Sequence, residues 1–291
     1  MGAPRWLLSV LLLAAGCGEP PQAPLGASSL VAAPSAPSAL PNRPASAPLS
    51  ASAPAAPPAI AGERFVRLAV PGFGDAVVAV PVGARGPRPI VLATHGNYDR
   101  PEWQCEVWGE IVETRAFVLC PRGDARPDSP SKDDVRFTYR SNQDLEKEVD
   151  AALAALRGST YSPHLAAGPP VWSGFSLGAI MGVAIAARRP ADFPILVLVE
   201  GGIDRFTEEV ATKFARGGGR AVLFACAQGG CKAPASKRAA RLEALGVRAI
   251  VVDAGNIGHA YDGPVAAAVK GALGDLLRGD ARFAEPQDPP R

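Results

Sequence analysis

The stretch Val171-Trp172-Ser173-Gly174-Phe175-Ser176-Leu177-Gly178-Ala179 decides how the chain folds. A short apolar run breaks at Gly-x-Ser-x-Gly and continues as an Ala- and Gly-rich apolar segment over 177–188. That order predicts a buried strand, a tight turn and a helix. Such a turn holds its serine in a strained backbone conformation and lifts the hydroxyl clear of the sheet. Gly174 and Gly178 fit the pattern because a side chain two residues before or after the serine would strike the neighbouring strand or helix backbone. The next amide, that of Leu177, falls at a helix N-terminus, where hydrogen bonding and the helix dipole both favour negative charge. Ser176 is the candidate nucleophile; the plainer alternative is a Gly-containing turn of an ordinary α/β protein.

The flanking sequence supplies the rest of a sheet. Residues 64–70 read as a half-buried strand, and 76–82 repeat the strand signal after a Pro-Gly-Phe-Gly turn, which predicts two antiparallel strands. Short apolar runs at 90–93, 116–119, 171–172, 195–199, 221–225 and, broken only by Arg248, 247–252 predict buried parallel strands, making eight in all. Helical patterns cover 106–114, 143–156, 177–188, 236–245 and 265–277. Two strands followed by alternating helix and strand predict an α/β fold, a mostly parallel eight-stranded sheet with helices on both faces.

Three short segments carry a more specific likeness: Thr94-His95-Gly96-Asn97 after the third strand, Gly174-Phe175-Ser176-Leu177-Gly178 after the fifth, and Gly258-His259-Ala260 after the eighth. In these the chain resembles the α/β-hydrolase superfamily, of the serine esterase or dienelactone-hydrolase type. The resemblance implies catalytic residues in the chain order serine, acid, histidine, with Ser176 first and His259 last. A histidine on a surface loop is the simpler account of His259. The resemblance gives His95 a structural role and makes the Asn97 N–H the partner of the Leu177 N–H in an oxyanion hole, with Gly96 and Tyr98 as alternatives. His164, beside Pro163, reads as a solvated loop residue.

The acid is harder to place. Superfamily members commonly carry it after the seventh strand, where this chain reads Cys226-Ala227-Gln228-Gly229-Gly230-Cys231 without a carboxylate. Some members place it after the sixth strand, and Glu200 and Asp204 stand there, while Asp253 and Asp262 are nearer to His259 in sequence. Glu200 is preferred, because a carboxylate at a buried strand end is costly without a partner. Local capping or pairing is its competing role.

Too few residues separate Glu200 from Arg220 for a large helical lid, which predicts an open cleft with Tyr98, Trp103, Trp108, the loop 121–140, 203–206 and Tyr261 as walls. Three functions fit. The first is a serine hydrolase that cleaves a small-molecule or polymer ester through an acyl-enzyme. The second is a related peptidase or polyester hydrolase, and the third a binding lipoprotein that keeps the fold but not the catalysis. Arg122, Arg126 and Arg136 suit an anionic substrate or simply a solvated loop. No nucleotide or flavin fingerprint occurs, so no cofactor and no metal is expected. The net charge of +2 without a basic cluster gives no reason to expect nucleic acid as a partner.

The first sixty residues read differently. Arg5 and the apolar run 6–13 lead to Ala14-Ala15-Gly16-Cys17, a signal-peptide pattern too short for a comfortable membrane span. It resembles the lipobox of bacterial lipoproteins, which implies lipidation of Cys17 and anchoring of an exported protein. Gly18 in place of Asp then implies the outer membrane. Leu13 stands four places before Cys17 where three is usual, so an ordinary signal peptide is the alternative. Residues 18–61 are rich in Pro, Ala and Ser and read as a semi-extended tether, 62–282 as the folded domain, and 283–291 as a tail. Four cysteines remain, an even number that suits an oxidising compartment; of three connectivities the element order favours Cys105 with Cys120 and Cys226 with Cys231.

Overall fold

A computed structural model describes residues 58–284. The expected signal segment 1–17 with Cys17, residues 18–57 of the tether and residues 285–291 of the tail lie outside the described residues. Ile60, read as tether, is buried, and it exchanges backbone hydrogen bonds with Gly83 and Ala84. Ordered packing therefore reaches back to residue 60.

Eight strands form one sheet: β1 (Phe65–Leu68), β2 (Ala76–Ala79), β3 (Ile90–Thr94), β4 (Phe117–Cys120), β5 (Val171–Phe175), β6 (Ile195–Val199), β7 (Ala221–Cys226) and β8 (Arg248–Asp253). Their spatial order is β1-β2-β4-β3-β5-β6-β7-β8. β2 runs antiparallel to both β1 and β4, and all other pairs are parallel. The eight expected strands are all present. A two-stranded ribbon, Asp124–Ala125 with Phe137–Thr138, lies apart in the loop that follows β4.

The central strands are apolar on both faces because helices cover both. Helices α1 (Pro101–Val112) and α6 (Gly263–Leu276) pack over Val91, Ile195, Val197 and Leu223. On the other face α2 (Asn142–Arg157), α3 (Leu177–Arg188), α4 (Glu208–Arg216) and α5 (Lys232–Ala244) cover Leu92, Trp172, Leu196, Leu198 and Phe224. α1 starts five residues earlier than expected, with Pro101 in the first turn, where the missing N–H costs nothing. α4 has no counterpart among the expected helices. Thr207 caps it by accepting the Val210 N–H, and Ala211 and Phe214 anchor it in the core.

Register sets the level of every strand end. Phe175 pairs with Val199, Val199 with Ala225, and Cys226 with Asp253. The residues that come directly after these positions, Ser176, Glu200 and Ala227, therefore emerge side by side at the carboxyl edge, where open α/β sheets bind ligands. Disulfides join Cys105 to Cys120, tying α1 to β4, and Cys226 to Cys231, closing the loop beyond β7. Among the described residues no helix is long and apolar enough to cross a membrane.

Candidate active site

The chain passes from β5 into α3 within one residue. Ser176 takes φ 49° and ψ −111°, a conformation that residues other than glycine adopt only when their surroundings impose it. Three glycines leave the necessary room. A Cβ on Gly174 would lie 2.6 Å from the Ala179 N, one on Gly178 2.5 Å from the Thr94 O, and one on Gly201 2.5 Å from the Ser176 O. The Ser176 N–H extends the parallel ladder by donating to the Val199 O at 2.9 Å, and the Gly178 N–H donates to the His95 O at 3.1 Å. The Leu177 N–H, at the open end of α3, has no acceptor among the described residues.

His259 stands on the loop after β8 with Nε2 2.8 Å from the Ser176 Oγ. Its ring packs at 4.8 Å on Phe175, whose ring lies 4.6 Å from Tyr261. The Tyr261 hydroxyl donates to the Asp99 Oδ1 at 3.2 Å. Burial and the Asp99 carboxylate push the Tyr261 phenol far above its ordinary range, so it remains a donor.

Asp99, itself buried, also accepts from the N–H groups of Gly96 at 3.3 Å and Arg100 at 2.8 Å and from the Gln104 amide at 3.4 Å. One carboxylate thus ties the 95–100 loop, the start of α1 and the histidine loop together. Sequence reasoning missed it. The available signal was an acidic residue two places before a helix-starting proline. Because the Gly96 N–H is taken by Asp99, Gly96 drops out as an oxyanion donor, whereas the Asn97 N–H has no acceptor among the described residues.

Glu200 begins a second sharp turn, with φ 49°, one residue beyond β6. Its side chain is 2% exposed. Oε1 accepts the Ala227 N–H and, at 3.2 Å, the Gln228 N–H. Oε2 accepts the Gln228 side-chain amide at 2.5 Å and lies 3.4 Å from the His259 Nδ1. The same Gln228 amide nitrogen is 2.7 Å from that Nδ1. The other carboxylates do not approach. Asp253 pairs with Lys232 at 3.3 Å and accepts the Gly255 N–H, Asp204 is exposed on the turn Ile203–Arg205, and Asp262 stands at the start of α6. Of the described carboxylates only Glu200 comes within 4 Å of a His259 ring nitrogen.

The remaining histidines are elsewhere. His95 is buried, with ring nitrogens 2.7 Å from the Gly96 O and 2.8 Å from the Arg122 O, and it stacks on Tyr139 at 4.4 Å. It braces the loop that carries Asn97. His164 lies half-buried in the short turn Ser162–His164, which precedes β5, and it makes no contact with Ser176 or Glu200.

Two expected cleft walls prove to be core: Trp108 packs under the sheet with α1, and Phe206 packs on Phe214 and Phe224. Tyr98 is exposed and Trp103 half-buried, with the Arg136 guanidinium over both rings. Arg136 is held by Asp134, and Arg126 by Asp128 and the Asn97 side chain, so neither charge is free. A cavity of about 440 Å³ opens beside Glu200, bounded by Ile180, Gly202, Ile203, Gln228 and Pro234.

The described residues are similar to solved structures over most of their length. TT1662 from Thermus thermophilus matches with a TM-score of 0.51 at 18% identity, over 74% of this chain and 98% of that one. Est1E from Butyrivibrio proteoclasticus matches with 0.53 at 11% identity, over 74% and 99%. The substrate-bound fluorophosphonate-binding serine hydrolase FphF of Staphylococcus aureus matches with 0.51 at 10%, over 76% and 98%. The chain has the α/β-hydrolase fold. No family model matches the sequence, and no curated protein matches it. Within this α/β-hydrolase fold the serine turn comes after the fifth strand and the histidine loop after the eighth, while the carboxylate that meets the histidine comes after the sixth.

Proposed function

We propose that this α/β-hydrolase-fold protein is a serine hydrolase that cleaves carboxylic esters through an acyl-enzyme. What carries the proposal is the 2.8 Å contact between the Ser176 Oγ and the His259 Nε2, at a serine whose strained turn leaves the Leu177 N–H unpaired beside it. His259 takes the hydroxyl proton as Oγ attacks the ester carbonyl carbon. The carbonyl oxygen, now an oxyanion, accepts from the Leu177 and Asn97 N–H groups. The tetrahedral intermediate then collapses, and His259 returns the proton to the departing alcohol. Water, deprotonated by the same nitrogen, attacks the acyl-enzyme and releases the acid. Glu200 holds the Nδ1–H and balances the imidazolium that forms twice per turnover.

The cavity beside Glu200 suits one of the two groups flanking the carbonyl of a small ester. In the same proposal the protein is exported and anchored in the outer membrane by lipid on Cys17. The two disulfides support an oxidising compartment.

The test is covalent labelling of purified protein with a fluorophosphonate probe, alongside hydrolysis of p-nitrophenyl acetate. Labelling that disappears in Ser176→Ala is expected. Folded wild-type protein that neither labels nor turns over the ester would sink the proposal.

A further inference from the structure

We propose that Gln228 is a positioning residue that governs which nitrogen of His259 carries the proton, and that its side chain must leave Nδ1 before the serine can be activated. The inference rests on the serine-hydrolase proposal and concerns the same site.

Hydrogen-bond polarity decides the matter. A general base at Nε2 must accept from the Ser176 hydroxyl, so the ring proton has to sit on Nδ1. Nδ1 faces two groups. One is the Glu200 Oε2, an acceptor, at 3.4 Å, and the other is the Gln228 side-chain nitrogen, a donor, at 2.7 Å. The orientation of that amide is set by Glu200, since the atom 2.5 Å from a carboxylate oxygen is the one that bears hydrogens. An NH₂ group has two hydrogens: one goes to the Glu200 Oε2, and the other points at Nδ1.

A donor at 2.7 Å stabilises Nδ1 without its proton, which leaves the proton on Nε2. In that tautomer Nε2–H donates to the Ser176 Oγ and cannot take its proton. The nearer contact therefore holds the resting site in the unreactive form, and the carboxylate that would favour the reactive form stands back at 3.4 Å.

The geometry also provides the way out. Gln228 is exposed, so its side chain has water as an alternative partner, and it borders the cavity of about 440 Å³ beside Ile203 and Pro234. Swinging the amide into that space removes the donor from Nδ1 and opens the line from Glu200 to the ring. The proton then moves from Nε2 to Nδ1. Glu200 does not lose its own seat, because the backbone N–H groups of Ala227 and Gln228 keep Oε1 in place. A substrate group that fills the cavity and pairs with the Gln228 amide would favour the open arrangement, which couples occupancy of that side of the site to activation.

Two variants remove the donor and keep the backbone: Gln228→Ala, and Gln228→Met, which preserves length. The tautomer is read directly from the ¹⁵N shifts of the neutral imidazole, assigned by the signal lost in His259→Ala; the chain has three histidines. The wild type is expected as the Nε2–H form, and both variants as the Nδ1–H form. Because a rate is scaled by the fraction of competent state, kcat on p-nitrophenyl acetate should rise about three- to tenfold in both variants with KM little changed. An Nδ1–H imidazole in the wild type, or a kcat that stays the same or falls in both variants, overturns the role given to Gln228. If the tautomer changes as expected while neither wild type nor variants turn over ester or label with a fluorophosphonate, the positioning role stands and the hydrolase proposal fails.

Discussion

Replacing Glu200 by Gln removes one charge and almost no volume, and the contacts around the site determine how the new side chain sits. Its carbonyl oxygen takes the Oε1 seat, because only an acceptor suits the Ala227 and Gln228 N–H groups there. The new NH₂ therefore falls at Oε2, facing the Gln228 amide and the His259 Nδ1, 2.5 and 3.4 Å away from the present oxygen. Two donors cannot share that space, so the exposed Gln228 side chain swings out to water. The residue at 200 then donates to Nδ1 and keeps the ring proton on Nε2. In serine proteases the equivalent exchange, in which the imidazole is held in the wrong tautomer, lowers kcat about 10⁴-fold. Here Gln228 already withholds up to a decade of rate in the wild type, so the expected loss is about 10³-fold, or about 4 kcal/mol in activation free energy. Folding stability should change by less than about 1 kcal/mol, because every backbone donor keeps its acceptor. Initial rates on p-nitrophenyl acetate, with urea unfolding of the same samples, separate the two effects. Asp204→Asn and Asp253→Asn serve as controls and should stay within about twofold of wild type, as neither carboxylate touches the ring. A Glu200→Gln enzyme within about tenfold of wild type would refute the assignment of the acid.

Gly178→Ala places a methyl 2.5 Å from the Thr94 O and forces α3 from β3 by most of an ångström. We expect a stability loss of about 1–3 kcal/mol from overpacking and, because the Leu177 N–H moves with the helix, a fall in kcat of about 100-fold at temperatures where the variant is folded. The two disulfides should separate stability from activity. Loop entropy for sequence separations of 15 and 5 gives losses of about 3 and about 2 kcal/mol for the Cys105→Ala/Cys120→Ala and Cys226→Ala/Cys231→Ala pairs. Only the second pair, whose loop seats Glu200, should also change the ester rate, and urea melts beside rate measurements check both. Burial raises the Glu148 carboxyl above its ordinary range, so the folded protein holds that proton more tightly than the unfolded chain. Its contribution to stability is complete below the ordinary carboxylate range and is lost as pH rises through the folded value. Glu148→Gln, which can still accept the Arg122 and Gly123 N–H groups, should flatten the dependence of urea stability on pH above the ordinary carboxylate range.

The legible parts of this molecule are those whose physics is local. Each of the eight strands is a mostly apolar run, β8 carrying Arg248 and Asp253 at its ends, and the Gly-x-Ser-x-Gly turn is a steric requirement written over five residues. Helix α4 escaped although Val210, Ala211, Phe214 and Ala215 recur at helical spacing behind the Thr207 cap, because the pattern lasts only nine residues. The ribbon at Asp124–Ala125 and Phe137–Thr138 is too short for any periodicity to develop. Trp108 and Phe206 look like cleft aromatics because composition does not say which side of a helix or turn faces the sheet. The link from Asp99 to the histidine loop and the contact of Gln228 with His259 were out of reach for a different reason. Tyr261 lies 162 residues from Asp99 and His259 lies 31 from Gln228, and these contacts exist only once the loops at the carboxyl edge have closed on one another.

In the proposed site the acid follows the sixth strand, and the backbone there is shaped together with the serine turn. Ser176 and Glu200 stand at the same level on neighbouring strands, and both have φ 49°. Each extends the ladder by one hydrogen bond, Ser176 N–H to the Val199 O and Glu200 N–H to the Ala225 O, before the chain turns away. The two turns are packed against one another: Gly201, just after the acid, runs so close to the serine that any side chain there would meet the Ser176 O. Each positive φ costs of order 1–3 kcal/mol and persists only when its surroundings over-determine it. Here the serine turn is over-determined in part by the glutamate turn, and the glutamate turn by the disulfide-closed loop that donates two N–H groups to Oε1. Glu200 at this strand end thus needs the glycine that follows it, and in the proposed site the loop beyond the seventh strand supplies the seat of the carboxylate and the competing amide of Gln228.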